Sequence, residues 1–506
     1  MADTKREIER KFEFTTSKAA RRGVPDLTGT DAVASVADQG TVDLDAVYYD
    51  TPDQRLAADG LTLRRRTGGA DAGWHLKLPV SPGVRDEIGA PLADTVPRAL
   101  AALVRSRVRD AALEPQVRLV SSRRVSHLLD AEGMLLAELS TDAVRAERDE
   151  AAASWTEVEV ELADGADPAL LDAVEKRFRK AGLKVSDAPS KLARALAETG
   201  TEPPARPEPA AGGTAGALVL SYLREQRDAL VAQDPAVRRN LPDSVHQMRV
   251  ACRRMRSAFK TYRKVLDRAV TDPLGEELRW LAAELGLDRD QEVLYDRIQA
   301  HLTELPRAVV IGPVRGRLRT WNNSRRSGTR RRALAALDAK RYTALLDALD
   351  ALLAEPPLLP GAHKPAAQAL PKAVVKDYGR LATRVAAALG LDPGEERDLT
   401  LHEARKAAKR ARYAAEAAVP ELGKPAKQQA KAMKSVQSLL GDHQDSVVAR
   451  EALRGLGAQA TGAGESAFTW GVLYAREEAL AAGGERELPD VWGQASDPAL
   501  RAELGA

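Results

Sequence analysis

Charged and apolar side chains alternate along EIERKFEF, Glu7 to Phe14. Glu7, Glu9, Lys11 and Glu13 fall on one side of an extended chain, and Ile8, Phe12 and Phe14, with Arg10 as the exception, on the other. Successive side chains of a strand point to opposite faces, so this is the period of a β-strand. It returns in VDLDAVYYD, LTLRRRT, WHLKLPV, VRLVSSRRV, MLLAELS and WTEVEVEL, which are separated by the turn signals DG, GG, SPG and AEG. The pattern predicts an antiparallel sheet, with helices near 167–181 and 95–105. After residue 216 the spacing becomes three and four in long Ala-, Leu- and Arg-rich stretches, which predicts an all-helical half. Between them TEPPARPEPAAGGTAG, residues 201–216, has almost no large apolar side chain and predicts an exposed linker. The expected domains are therefore 1–200 and 217–484, with 485–506 as a loosely held tail.

The polar face of the sheet is unusual. Glu157, Glu159 and Glu161 share one face of WTEVEVEL; Arg64 and Arg66 lie together in LTLRRRT; Lys77 follows His75 away from Trp74, Leu76 and Leu78; Glu138 and Asp142 flank Ser140. Two arrangements account for this. A solvated outer face with scattered cross-strand ion pairs would gain well under about 1 kcal/mol from each. Alternatively, a barrel with a charged, wet lumen would need an ionic ligand, because a desolvated unpaired charge costs several kcal/mol. Carboxylates at every second position suit divalent cations, and neighbouring Arg and Lys suit phosphate oxygens. Alternation alone leaves both open.

Composition narrows the field. With 76 Lys plus Arg against 73 Asp plus Glu, the net charge of +3 points to no partner, so the distribution of charge must. The one cysteine, Cys252, excludes an intrachain disulfide and a zinc site built on several thiolates. MADTKREIERKFEF lacks the apolar core of a signal peptide, and no run of about 18 apolar residues occurs. The expectation is a cytoplasmic protein that does not span a membrane. Aromatics at 4% weaken any model that stacks nucleic-acid bases on rings.

The run Glu7-Ile8-Glu9-Arg10-Lys11 resembles the ExExK signature of the CYTH, or triphosphate tunnel metalloenzyme, family. The resemblance continues through YYDT (Tyr48 to Thr51), GLTLRRR (Gly60 to Arg66), WHLKLP, the segment from Glu138 to Asp142, WTEVEVEL and the pair Ser190-Lys191. It implies an eight-stranded antiparallel β-barrel, the triphosphate tunnel, that binds triphosphate with Mg²⁺ or Mn²⁺ and places the charged face inside. It further implies Glu7 and Glu9 as metal-site carboxylates facing Glu157, Glu159 and Glu161, with Glu7, Glu9 and Lys11 as the catalytic set. Lys11, Arg64, Arg66, Lys77 and Lys191 become phosphate holders. Arg118 and Arg123 are further candidates on a strand whose phase the pattern does not fix. The implied chemistry is metal-assisted hydrolysis, in which the protein positions the phosphates and neutralises their charge and needs no nucleophilic side chain. His75 and His127 read as structural.

The helical half is built twice. HQMRVACRRMR begins at His246 and HEARKAAKRAR at His402, so that His246, Arg249, Arg253, Arg254 and Arg256 align with His402, Arg405, Lys409, Arg410 and Arg412. Ser244 with Gln247, and Thr400 with Glu403, are expected to form capping boxes just before each histidine. Downstream, Leu285-Gly286, Asp290 and Val293 align with Leu440-Gly441, Asp445 and Val448. At about 100° per residue, His246, Arg249, Arg253 and Arg256 span an arc of roughly 80°, extended by Lys260 and Arg263. No acidic residue lies between His246 and Lys264, and like charges at this spacing repel. The stripe is therefore read as an anion site, to which the eight arginines between Arg315 and Arg332 would add field. These features resemble the CHAD, or conserved histidine α-helical, domain, with halves at about 217–310 and 370–484. The resemblance implies two helical bundles and a surface for inorganic polyphosphate made by His246, Arg249, Arg253, Arg256, Lys260, Arg263, His402, Arg405, Lys409 and Arg412. His301, His363 and His443 read as structural.

The leading expectation is an inorganic triphosphatase that takes triphosphate and long-chain polyphosphate, in the cytoplasm and at polyphosphate granules. The alternatives are a non-catalytic polyphosphate-binding protein and an enzyme of an organic triphosphate: thiamine triphosphate, or ATP as an adenylyl cyclase. Nucleic acid is disfavoured because the basic helices lack interleaved aromatics.

Overall fold

The computed structural model describes residues 3–30, 32–201 and 213–505, so most of the expected linker, 202–212, lies outside the described residues. Two compact units emerge, one on each side of that stretch.

The first unit contains β1 (Asp3–Phe14), α1 (Ser17–Arg22), β2 (Ser35–Asp50), α2 (Arg55–Ala58), β3 (Thr62–Thr67), β4 (Gly73–Ser81), β5 (Val84–Ala90), α3 (Arg98–Val108), β6 (Glu114–Leu129), β7 (Leu135–Arg148), β8 (Ala151–Leu162), α4 (Ala169–Ala181), β9 (Leu183–Val185) and α5 (Lys191–Glu198). The strand order β5-β4-β3-β2-β6-β7-β8-β1 is closed by pairing of β1 with β5, Glu7 opposite Arg85, and β9 extends the end of β1. The result is an eight-stranded antiparallel barrel.

Its apolar face points outward. Phe12, Val158, Val160 and Leu162 pack under α4 through Leu171, Val174 and Phe178, and the Phe12 and Phe178 rings meet edge-to-face at 4.7 Å. Leu61, Leu63, Trp74, Leu76 and Ile88 pack under α3 through Leu100, Leu103 and Val104. Arg10, the exception in the first strand, donates to Asp172 at 3.0 Å and Glu175 at 2.6 Å, so its charge is met where it crosses onto α4. The lumen is not charged throughout. Ala46, Tyr48, Val117, Leu119, Val144 and Trp155 point inward, as their registers with Arg64, Arg66 and Asp142's strand require, and pack on Leu192, Ala195 and Leu196 of α5. That helix fills one end of the barrel.

The second unit is helical: α6 (Ala215–Arg238), α7 (Ser244–Thr261), α8 (Arg268–Glu304), α9 (Val314–Asp338), α10 (Lys340–Ala354), α11 (Ala366–Leu389), α12 (Glu395–Gly462), α13 (Phe468–Ala495) and α14 (Pro498–Ala502). Because α12 is broken at Gly423 (φ 60°, ψ −128°), its two parts repeat the order of α7 and α8. Three expectations fail here. Helix α6 begins inside the expected linker, capped by the Thr214 side chain on the Ala217 amide. Neither capping box forms: Ser244 donates to the Leu241 carbonyl within a helix preceded by Asp243, and Thr400 lies a turn inside α12, donating to the Glu396 carbonyl. The tail is ordered, because Leu488, Val491, Trp492 and Ala495 repeat at helical spacing, bury against α11 and α12, and stack Trp492 on Tyr378 at 5.7 Å.

Candidate functional site

Inward-facing residues of the barrel enclose a cavity of about 430 Å³. The structure brings together Glu7, Glu9, Lys11, Arg64, Arg66, Lys77, Arg123, Glu159, Glu161 and Lys191 on its wall. Glu157 joins them through the Lys191 ammonium, 2.7 Å away. Arg118 is not among them. Five residues from Arg123 on the same strand, it takes the opposite face and pairs with Asp45 at 2.6 Å, its side chain half exposed. The phase left open by the sequence is set by the register of Arg123 against Val42 and Asp142.

Lysines hold the carboxylates. Lys191, at the start of α5, contacts Asp142 at 2.8 Å, Glu157 at 2.7 Å and Glu159 at 2.6 Å. Lys11 bridges Glu9, at 3.2 Å, and Glu159, and Lys77 meets Glu7 at 2.6 Å. Burial opposes ionisation of Glu9 and Glu159, but Lys11 and its neighbours outweigh it and hold both below the usual carboxylate range. Glu7 behaves differently: burial and a hydrogen bond with Glu87 push it up to about 8 against the pull of Lys77. Glu87 is held low despite its burial, by hydrogen bonds from His75 and Glu7 and by Lys77 and Arg64.

Guanidinium groups cluster beside the carboxylates. Arg66 is pushed down to about 9 by burial and by the charges of Arg64 and Arg123, with Asp71 of the β3–β4 turn as its ion-pair partner. Arg123 makes a bidentate pair with Asp142, both bonds 2.8 Å, and reaches Glu159 at 3.1 Å. Crowded cations beside one another favour an entering anion. Oxygens of Asp142, Glu157 and Glu159, all buried, lie within 4.8 Å of one another, a donor set that fits a hard divalent cation.

Sequence reasoning missed Glu87, Lys5, Tyr48 and Arg85 on this wall, treated Asp142 only as part of an acidic segment, and read His75 as structural although its Nδ1 lies 2.6 Å from Glu87. The even spacing of Asp142 from Glu138 carried its phase. The strand that bears Glu87 carries charges on both faces and gave no alternation. His127 lies 3.9 Å from Glu138.

In the helical unit the two basic stripes meet. Arg254 of α7 pairs with Glu416 of α12 at 3.0 Å, and the Tyr262 hydroxyl donates to the Ala414 carbonyl at 3.1 Å. Burial, followed by Arg405 and Arg253, lowers Lys409 to about 7. Arg253, Arg256, Lys260 and Lys409 form no ion pair among the described residues. His246 lies in the first turns of α7, half-buried, and His402 on α12 is lowered chiefly by burial and Lys406. Arg412 is neutralised by Glu416 at 3.1 Å. Arg263 falls beyond the end of α7, exposed, where its charge still acts on Lys376 and Arg410. His443 sits between Asp398, at 3.3 Å, and Glu485, at 3.1 Å, and His301 is 2.9 Å from Glu477. His363 is exposed in a short 3₁₀ turn. No helix among the described residues is long and apolar enough to cross a membrane.

Family models match the chain in two places, a CYTH domain over residues 5–196 and a CHAD domain over 221–454. Two curated relatives from Mycobacterium tuberculosis, the uncharacterized proteins Rv2226 of strain H37Rv and MT2285 of strain CDC 1551, are each 41% identical over 504 residues, spanning 94% of this chain and 93% of theirs. Among solved structures, PptA from Streptomyces chartreusis is 23% identical with a TM-score of 0.46, covering 56% of this chain and 100% of its own. The CHAD domain from the plant Ricinus communis is 26% identical with a TM-score of 0.40, covering 58% of this chain and 93% of its own. With a metal-competent, cation-lined barrel followed by a duplicated basic helical unit, and a like-length relative at 41% identity, the chain belongs to the family of proteins that join a CYTH domain to a CHAD domain.

Proposed function

We propose that the barrel hydrolyses inorganic tripolyphosphate to pyrophosphate and orthophosphate with Mg²⁺ or Mn²⁺, and that the helical unit binds long-chain polyphosphate in the cytoplasm and at polyphosphate granules. The observation that carries the reading is one cavity lined by Glu7, Glu9, Glu159 and Glu161 together with Lys11, Arg64, Arg66, Lys77, Arg123 and Lys191, with the buried carboxylates of Asp142 and Glu157 reached through Lys191 and grouped with that of Glu159. Asp142, Glu157 and Glu159, with Glu7, Glu9 and Glu161 nearby, would hold the cation. When bound, the cation supplies charge neutralisation and an activated water. The remaining work belongs to the chain's own side chains: Arg64, Arg66 and Arg123 with Lys11 and Lys77 align the phosphates, and the apolar plug around Trp155 and Leu196 closes one end to water. An inorganic substrate is favoured over thiamine triphosphate or ATP because acidic and basic side chains make up most of the described cavity lining, with Tyr48 and His75 as its aromatic side chains.

Phosphate release from tripolyphosphate, ATP and thiamine triphosphate, with Mg²⁺ and with chelator, for wild type and Glu9→Ala, tests this. Metal-dependent release from tripolyphosphate that falls by about a hundredfold or more in the variant is expected. Equal rates in both would leave a binding module.

A further inference from the structure

The duplicated stretch that aligns Gly286 and Asp290 with Gly441 and Asp445 has no part in the reading above. Its placement repeats, with the tighter contact in the first copy. Arg249 of α7 crosses to α8, where its guanidinium makes two hydrogen bonds to Asp290, 2.9 and 3.1 Å, and one of 3.4 Å to the Gly286 carbonyl. In the second copy the Arg405 guanidinium is 4.0 Å from Asp445. In the first copy the glycine makes room for the arginine, since a Cβ built on Gly286 would lie 2.8 Å from the Arg249 guanidinium; in the second a Cβ on Gly441 would meet Arg405 at an ordinary 3.5 Å. Each copy thus sets one carboxylate, one helical turn beyond a glycine, against the same member of its basic stripe. Elsewhere the stripe is left without ion pairs at Arg253, Arg256, Lys260 and Lys409 among the described residues.

Acidic partners placed twice on an anion surface whose other ion pair is Arg412 with Glu416, among the described residues, compete with the ligand. We propose that Asp290 and Asp445 are specificity residues: Asp290 occupies Arg249 in the free protein, Asp445 stands against Arg405, and both must give way to an entering polyanion. The inference rests on the polyphosphate reading of the helical unit. A phosphoanhydride polymer carries a charge on every phosphorus with no sugar between, so it supplies enough charge locally to displace both carboxylates. A phosphodiester strand, with charges spaced by about 3.4 Å or more along a bulkier backbone, does so less well. The carboxylates therefore penalise single-stranded nucleic acid more than polyphosphate. Asp290 is largely exposed, so each displacement is modest.

The test measures binding of long-chain polyphosphate and of a single-stranded oligodeoxynucleotide of equal total charge to the full chain in chelator, at several salt concentrations. Proteins are wild type, Asp290→Asn, Asp445→Asn, the double variant, and Asp290→Asn in an Arg249→Gln background. We expect the oligonucleotide to bind about threefold tighter for each single variant and about tenfold tighter for the double, with a smaller gain for polyphosphate. The gain from Asp290→Asn should vanish when Arg249 is gone, which separates a partner of that arginine from a general change of field. Unchanged or weaker oligonucleotide binding, or an equal gain in the Arg249→Gln background, overturns the inference and leaves the polyphosphate reading standing. Wild type that fails to bind polyphosphate overturns both.

Discussion

Replacing Lys191 by Met would remove one ammonium and leave its aliphatic stem, which isolates the electrostatic contribution. In wild type that ammonium is buried and contacts three carboxylates at 2.6–2.8 Å, which raise its affinity for a proton against the penalty of burial. Removing one partner of a buried ion pair costs about 3–5 kcal/mol, because the other charge is left unpaired. Here the loss is softened. Arg123 still holds Asp142 and Glu159, and Lys11 still holds Glu159, whereas Glu157 keeps only the bond from the Trp155 indole at 2.6 Å. The lower end, about 3 kcal/mol, is the appropriate expectation. For a unit of this size 1 kcal/mol moves Tm by about 2–4 °C, so the barrel's transition should fall by roughly 6–12 °C in chelator.

On the proposed metal assignment a divalent cation should change the outcome, because it would offer the same three carboxylates a replacement charge. At a concentration of about 100 Kd it returns about 2.7 kcal/mol, nearly the whole deficit. Wild type should gain less, since its cation must displace the lysine. Calorimetric scans of the full chain in chelator and in Mg²⁺ or Mn²⁺, with the helical unit's transition as internal standard, read this directly. An equal Tm deficit with and without metal, or a wild-type gain as large as the variant's, would refute the reasoning that carboxylates and cation share one site.

The outward side of β6 gives a paired control: Arg123→Ala should lower tripolyphosphate hydrolysis by about a hundredfold, while Arg118→Ala stays within about twofold, as measured by kcat/KM. Gly286→Ala should weaken polyphosphate binding while the helix gains up to about 1 kcal/mol, because the new methyl displaces the Arg249 side chain; Gly441→Ala, with ordinary contact to Arg405, should stabilise and leave binding unchanged. Titration microcalorimetry and thermal scans separate the two. Lys409 has a folded pKa of about 7, depressed from its ordinary 10.5, so between those values the unfolded chain binds more protons and stability rises with pH. Lys409→Met should flatten that rise in denaturation measured from pH 7 to 10, and polyphosphate binding by wild type above pH 7 should take up a proton that the variant does not.

What the sequence revealed follows from which residues carry two signals at once. Strands β1 and β8 pair a charged face with an apolar one, so period and phase are both visible in EIERKFEF and WTEVEVEL. In VRDEIGA the outward Asp86 is itself charged, because it meets Arg6, so alternation disappears and Glu87 with it. In SSRRV two arginines adjoin two serines, and only pairing with β2 and β7 decides that Arg123 enters the lumen and its neighbour Arg124 turns to Asp38 outside. Nor could a local pattern show that α5, an unremarkable amphipathic helix, would enter the barrel and convert half of an apparently hydrophilic interior into a core. That placement has a chemical consequence. Because Leu192, Ala195 and Leu196 exclude water from behind, the Lys191 ammonium at the helix start and the three carboxylates it touches are desolvated together. The attraction between them is strengthened by the same burial that makes them costly to leave unpaired. A lumen charged from end to end would be hydrated and its ion pairs weak. Were a metal ion to take the place of the lysine among these carboxylates, the apolar plug would give that exchange a large free-energy difference, and the thermal response of Lys191→Met measures it.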